Sequence, residues 1–220
     1  IESNGFIGSS AVIAHRPGIS DDLVYNYMVQ NEYKRSAIIF PLISPSRLPF
    51  SLRHMKVDLN SESWIDQIQP GNIFRLGDST ESSDADLLQK ARHKLLPREN
   101  SDFPIIFIID TLQKIPESLD RELRFLIREA PFNKLSIWLH CPLSCIHPEL
   151  LSLVGNVAVI WPSKKEYDIL RENLSTDQIN VNGQNYTRGM LFISNFILDD
   201  GKGWRFSEME YDEGNIHRGE

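Results

Sequence analysis

The chain has 220 residues, 41% hydrophobic and 24% charged, which is the make-up of an ordinary water-soluble globular protein. A net charge of -7 and a pI near 5.4 argue against a generally basic, nucleic-acid-coating surface, though they leave room for a local basic patch. No apolar run approaches the roughly 20 residues of a membrane span, and the two cysteines are too few for a disulfide scaffold, so a reducing, cytoplasmic setting is expected, at the membrane only as part of a larger protein.

The length fits one large domain, and residues 1–210 are expected to form one α/β unit followed by a polar tail at 211–220. Beginning at Ile1, with neither methionine nor a signal-peptide pattern, the chain reads as an excised domain or a processed product. Short apolar strands alternate with polar helical stretches, which predicts a mostly parallel sheet flanked by helices in three layers.

Residues 10–14 read as the first strand and 20–31 as a helix, with Ser20 as N-cap and Asp21 and Asp22 in its first turn. A second strand is expected at 36–42. Short strands at 54–59 and 72–76 are expected to flank a helix at 61–69. A polar loop at 77–83 precedes a helix at 84–95. The long apolar run 103–109 then ends in Asp110. Residues 119–129 form a strongly patterned helix, with Leu119, Leu123, Leu126 and Ile127 on one face and charges on the other. Strands at 134–139 and 156–161, a short helix at 148–154 and a helix at 163–173 follow. The last of these has Ser163 and Glu166 at capping-box spacing. An Asn182-Gly183 turn and a β-hairpin, with strands at 189–196 and 204–209 joined by residues 199–203, close the pattern.

Two of these junctions carry the shape of a nucleotide site. A buried parallel strand that ends in a carboxylate, as at Asp110, delivers that group to phosphate-bound magnesium in P-loop enzymes. Residues 15–22 stand where a phosphate loop would sit, but the loop should read G-x-x-x-x-G-K-[ST]. Here the lysine position carries Asp21, the hydroxyl position carries Asp22, and Gly18 is what remains of the signature. Asp110 is followed by Thr111 in place of a glutamate that would orient water. Gly18, Ser20 and Asp110 are therefore expected to belong to a degenerate nucleotide site. No resident cofactor is expected, with magnesium-ATP held open.

From Asp110 through the charged helix to the strand ending at His140, then the segment 141–160 with its short helix and returning strand, the order of elements resembles an FtsK/HerA-type, RecA-like P-loop ATPase module. Arg188-Gly189-Met190-Leu191-Phe192-Ile193 and the closing hairpin resemble the end of that motor domain. The resemblance spans residues 10–209 as an order of elements and is best supported between 105 and 170. Type VII secretion ATPases of the EssC/EccC kind carry such modules in tandem, some with degenerate sites. The resemblance implies a sensor position at His140, as part of the same site. It also implies partners among other modules of the same chain or complex, or a ring of copies in which Arg121, Arg124 and Arg128 meet a neighbour.

Other constellations have plainer readings. His140, Cys141, Cys145 and His147 include zinc-type ligands and a Cys–His pair, but they form one compact segment where structural zinc sites draw on two. Glu81, Asp84 and Asp86 suit a helix start. The acidic end from Asp199 to Glu213 lacks EF-hand spacing. The basic run 92–98 has no interleaved aromatics for base stacking, so nucleic acid is not indicated as a partner. The leading functional reading is a non-catalytic interaction or regulatory module of a motor or secretion assembly. An ATPase with an atypical phosphate loop, and an unrelated α/β binding protein or hydrolase, are the alternatives.

Overall fold

A strand that is apolar at every position has no face to offer water, so it must lie in a sheet buried on both sides. Strand β5 (Ile105–Asp110) is apolar up to its last residue, Asp110, and all six of its residues are buried. The computed structural model describes residues 10–14, 34–42, 54–57, 68–76, 84–95, 103–111, 113–160, 163–174, 189–198 and 201–210.

Nine strands form one sheet. In chain order they are β1 (Ala11–Ala14), β2 (Ala37–Leu42), β3 (His54–Val57), β4 (Ile73–Leu76), β5, β6 (Leu135–His140), β7 (Asn156–Ile160), β8 (Gly189–Leu198) and β9 (Gly201–Glu210). Across the sheet the order is β3-β4-β2-β5-β6-β1-β7-β8-β9. Pairing is parallel from β3 through β7 and antiparallel from β7 to β9. The helices are α1 (Asp84–Leu95), α2 (Glu117–Glu129), α3 (Pro148–Leu151) and α4 (Lys164–Leu174). Helix α1 packs on α2 and β2, α2 on β6 and α3, and α3 on α4. This is the α/β class expected from the alternation, with the antiparallel hairpin at its end. Among the described residues no helix is long and apolar enough to cross a membrane.

One apolar core lies between the sheet and the helices. It takes Val12, Ile39, Phe74, Phe107, Ile109, Ile137, Leu139 and Val157 from the strands, and Leu88, Leu119, Leu123, Leu126 and Leu170 from the helices. The alternate residues Ile13, Ile38, Ile106, Ile108 and Trp138, on the other face, are equally buried.

Several local details depart from expectation, each for a backbone reason. The helix expected at 61–69 lies mostly outside the described residues, but Ile68 and Gln69 are not helical. Gly71 adopts φ +80 and the Asn72 N–H donates to the Gln69 carbonyl at 3.3 Å, which makes residues 69–72 a type II turn with Pro70 at its second position. β6 starts at Leu135 because Lys134 adopts a left-handed conformation (φ 50) after a 3-10 turn at Ala130–Asn133. In β2 the register against β5 shifts between Ile39 and Leu42. Pro41 lies in that interval and has no N–H to give a central ladder. The hairpin strands run past the expected 196 and begin at 201, because Gly203 and Gly201 keep the ladder opposite Phe196 and Leu198. The helix expected at 20–31 and the Asn182-Gly183 turn lie outside the described residues. At α4 one arm of the capping box forms: the Ser163 N–H donates to Glu166 Oε2 at 2.8 Å, and the Ser163 hydroxyl also donates to that carboxylate.

Helix α2 sorts its side chains strictly, with Leu123 fully buried and Phe125 44% exposed. Asp120 is also buried, at 3% exposure. Arg124, one turn along, closes on Asp120 and also pairs with Glu149 of α3. Leu123→Ala is expected to lower stability by about 2–5 kcal/mol in urea unfolding, whereas Phe132→Ser, at a residue 83% exposed, stays within about 0.5 kcal/mol. Arg124→Ala leaves a buried carboxylate without its cation. Because Arg124 is itself part-exposed, the expected loss is about 1–3 kcal/mol, and adding Asp120→Asn should recover part of it in the same assay.

Candidate functional site

The parallel ladder brings three strand ends together. Ile13 of β1 is the register partner of His140 in β6, and His140 is the partner of Asp110 in β5. The Cys141 N–H donates to the Ile13 carbonyl at 3.2 Å, and the Thr111 N–H donates to the His140 carbonyl at 3.1 Å. The row therefore continues one residue past β5 and past β6. The chain leaving β1 goes to β2 on one side, whereas β6 leads to β7 on the other. In open α/β sheets, ligands bind outside the carboxyl ends of strands where connections part in this way.

Register partners in parallel strands point to the same face, so Asp110 and His140 meet. His140 Nδ1 lies 2.8 Å from Asp110 Oδ2, and the two side chains are 1% and 2% exposed. An ionised carboxylate only accepts hydrogen bonds, so with Asp110 charged the Nδ1 carries the proton and donates. The loop beyond Asp110 is held as well. The Gln113 N–H donates to Thr111 Oγ1 at 3.1 Å, and the Ile115 N–H donates to the Cys145 carbonyl at 3.1 Å, which ties the segment after β5 to the segment after β6.

Of the four residues read as a degenerate nucleotide site, Asp110 and His140 are brought into direct contact, while Gly18 and Ser20, like Asp21 and Asp22, lie outside the described residues. The sequence placed Asp110 and His140 each at a strand end without pairing them. The signal was that both close strands joined by one helix, which makes them neighbours if the sheet is parallel. The His/Cys segment divides. Cys141 turns into the helix-side core, opposite to His140. Cys145 is half-buried, and burial raises its thiol pKa. Exposed His147 caps α3 by accepting from the Glu149 N–H at 3.3 Å. Among the described residues no group of three or more His, Cys, Asp and Glu side chains converges as a metal site.

The three arginines of α2 also divide. Arg121 and Arg128 are exposed, and neither has an ion-pair partner among the described residues. Arg124 is turned inward to Asp120 and Glu149. As a group meeting a neighbour, Arg124 is therefore the weakest of the three. Asp120 and Glu149, which hold it, were not singled out from sequence, although Asp120 stands one turn before Arg124 and beside the buried Leu119.

In sequence the chain matches no protein-family model and no curated protein. In structure it is similar to the DNA-packaging ATPase B204 of Sulfolobus turreted icosahedral virus, with a TM-score of 0.61 and 14% identity over 94% of this chain and 100% of that one. The genome packaging NTPase B204 of Sulfolobus turreted icosahedral virus 2 in complex with AMPPCP gives a TM-score of 0.57 and 12% identity over 93% and 98%. A structure of EssC comprising ATPases 2 and 3, from Geobacillus thermodenitrificans, gives a TM-score of 0.51 and 12% identity over 96% of this chain, which spans 42% of that one. At such identities the likeness shows the fold alone: the chain has the α/β fold of these P-loop-type ATPases.

Proposed function

We propose that this chain is a non-hydrolysing interaction module of a larger motor or secretion assembly, built on a P-loop NTPase-like scaffold of the FtsK/HerA kind. The observation that carries the reading is the buried Asp110–His140 pair. A magnesium-binding carboxylate must keep an oxygen turned to the ion and its waters. Asp110 gives Oδ2 to His140, and its other oxygen, Oδ1, is buried too, with the side chain 2% exposed. The loop sequence points the same way. Asp21 and Asp22 bring negative charge where a triphosphate needs a lysine and a hydroxyl, and Thr111 replaces the glutamate that would orient water. These residues do not fit a magnesium triphosphate, and no hydrolytic step is derived through one.

On this reading Gly18, Ser20, Asp110 and His140 are the remains of a nucleotide site kept for the fold, and the working surfaces are those that meet other modules. A second reading, an ATPase with an atypical phosphate loop, is supported by one feature: Asp110 still closes its strand at the carboxyl end of the sheet, beside β6 and one strand removed from β1.

Scanning fluorimetry in millimolar Mg-ATP separates the two. The module reading expects a midpoint change under about 1 °C for the parent and for Asp110→Asn alike. Ligand at about a hundred times its Kd would add about 2.7 kcal/mol, several degrees for a chain this size. A rise of that order in the parent, absent in Asp110→Asn, would sink the proposal. A pair retained for packing also makes a stability prediction. His140→Ala is expected to cost about 3–5 kcal/mol in urea unfolding, because it strands a buried carboxylate. The paired replacement Asp110→Leu with His140→Phe is expected to cost less than His140→Ala alone.

A further inference from the structure

Helices α1 and α2 enclose a surface pocket of about 730 Å³ whose lining includes Arg92, Glu117, Arg121, Glu122, Phe125 and Arg128. Positions 121, 125 and 128 are spaced by one turn each, so the three side chains share a face and the two arginines stand about 10 Å apart along the axis. Phe125, between them, is 44% exposed. Arg92 is already committed: its guanidinium lies 4.3 Å from the centre of the Phe125 ring, and Nη1 pairs with Glu122 at 3.1 Å. Arg121 and Arg128 keep their charges for something else, since neither has an ion-pair partner among the described residues. The chain as a whole carries -7, so two uncommitted cations around an exposed ring stand out against their surroundings.

We propose that the Arg121–Phe125–Arg128 face is the docking site for an acidic peptide segment of a partner protein, one that carries an apolar side chain between two carboxylates. The apolar side chain covers Phe125, and the flanking carboxylates pair with Arg121 and Arg128. Charge complementarity selects this occupant over a nucleic acid. A phosphate backbone asks for a continuous basic track, but here the lining also includes the carboxylates of Glu117 and Glu122. Those groups interrupt such a track, whereas peptide N–H groups lying between the two flanking carboxylates can donate to both glutamates. One face of Phe125 is occupied by Arg92, which leaves less ring for a base to stack on. The inference deepens the interaction-module reading and rests on it for its biological meaning.

The test uses fluorescence anisotropy with a labelled octapeptide, Phe-Ser-Glu-Met-Glu-Tyr-Asp-Glu. It repeats residues 206–213 of this chain and alternates carboxylates with apolar groups. The expected result is saturable binding that weakens at least about tenfold when the peptide's carboxylates become amides. Arg121→Glu with Arg128→Glu should weaken it by at least about tenfold, and Phe125→Ser by about three- to tenfold. Salt near 1 M, where screening extends to about 3 Å, should suppress it. Because the amide-peptide comparison uses the parent protein, the proposal does not depend on the variants folding. Three results would overturn it: no saturable binding by the parent, equal binding by the charge-reversed variant, or tighter binding of an eight-nucleotide oligo-dT through the same arginines. None of these depends on Asp110. A nucleotide-induced thermal shift would remove the module reading without touching the peptide result, and absent peptide binding would remove the docking site alone.

Discussion

Parallel pairing across β5, β6 and β1 sets one row of residues, Asp110, His140 and Ile13, on one face of the sheet. Much of what is distinctive about the chain follows from that row. A carboxylate at the end of a buried strand must be either hydrated, bound to a ligand or hydrogen-bonded, because burying it alone is prohibitively costly. Register places an imidazole 2.8 Å away, and the carboxylate bonds to it. With β6 between β5 and β1, the end of β1 lies two strands from Asp110, about 10 Å. The histidine occupies the intervening strand. The end of β5 is thus closed by an internal carboxylate–imidazole hydrogen bond.

The second theme is how charge is divided on α2. The helix carries acids in its first turn and Arg128 in its last, as the helix dipole favours. Yet its arginines do different work. Arg124 neutralises the buried Asp120 and bridges to α3, which makes it part of the core's edge. Arg92 of α1 is held against Glu122 and Phe125 and seals the junction of the two helices. Arg121 and Arg128 stand on either side of an exposed aromatic ring. The helix that follows the site strand therefore has one face devoted to packing and another with the chemistry of recognition.

Legibility differed by kind of feature. Strands and helices with a clear period, such as β5, α1, α2 and α4, were readable to within a few residues, because their spacing mirrors which faces are buried. The expected helix stopped before the turn dipeptide Pro70-Gly71 but was carried two residues too far, over Ile68 and Gln69, because a helical pattern ran up to the turn. The longer hairpin strands were missed because glycines at 201 and 203 read as loop residues, while cross-strand pairing keeps them extended. Of the site, Asp110 and His140 were identified by position. Their contact was not, since it joins residues 30 apart in sequence, and the inward turn of Arg124 was not, since it depends on the burial of Asp120 and on Glu149, 25 residues away.

By itself, the sequence determined the α/β class and the amphipathic faces, both of which are local: they follow from residue type and period. Only the tertiary structure decided that β6 lies between β1 and β5, that Asp110 gives an oxygen to His140, and that Arg124, but neither Arg121 nor Arg128, is tied to carboxylates among the described residues. The reason is that strand order and ion-pair choice are set by which distant segments share a buried surface, and no local pattern encodes that.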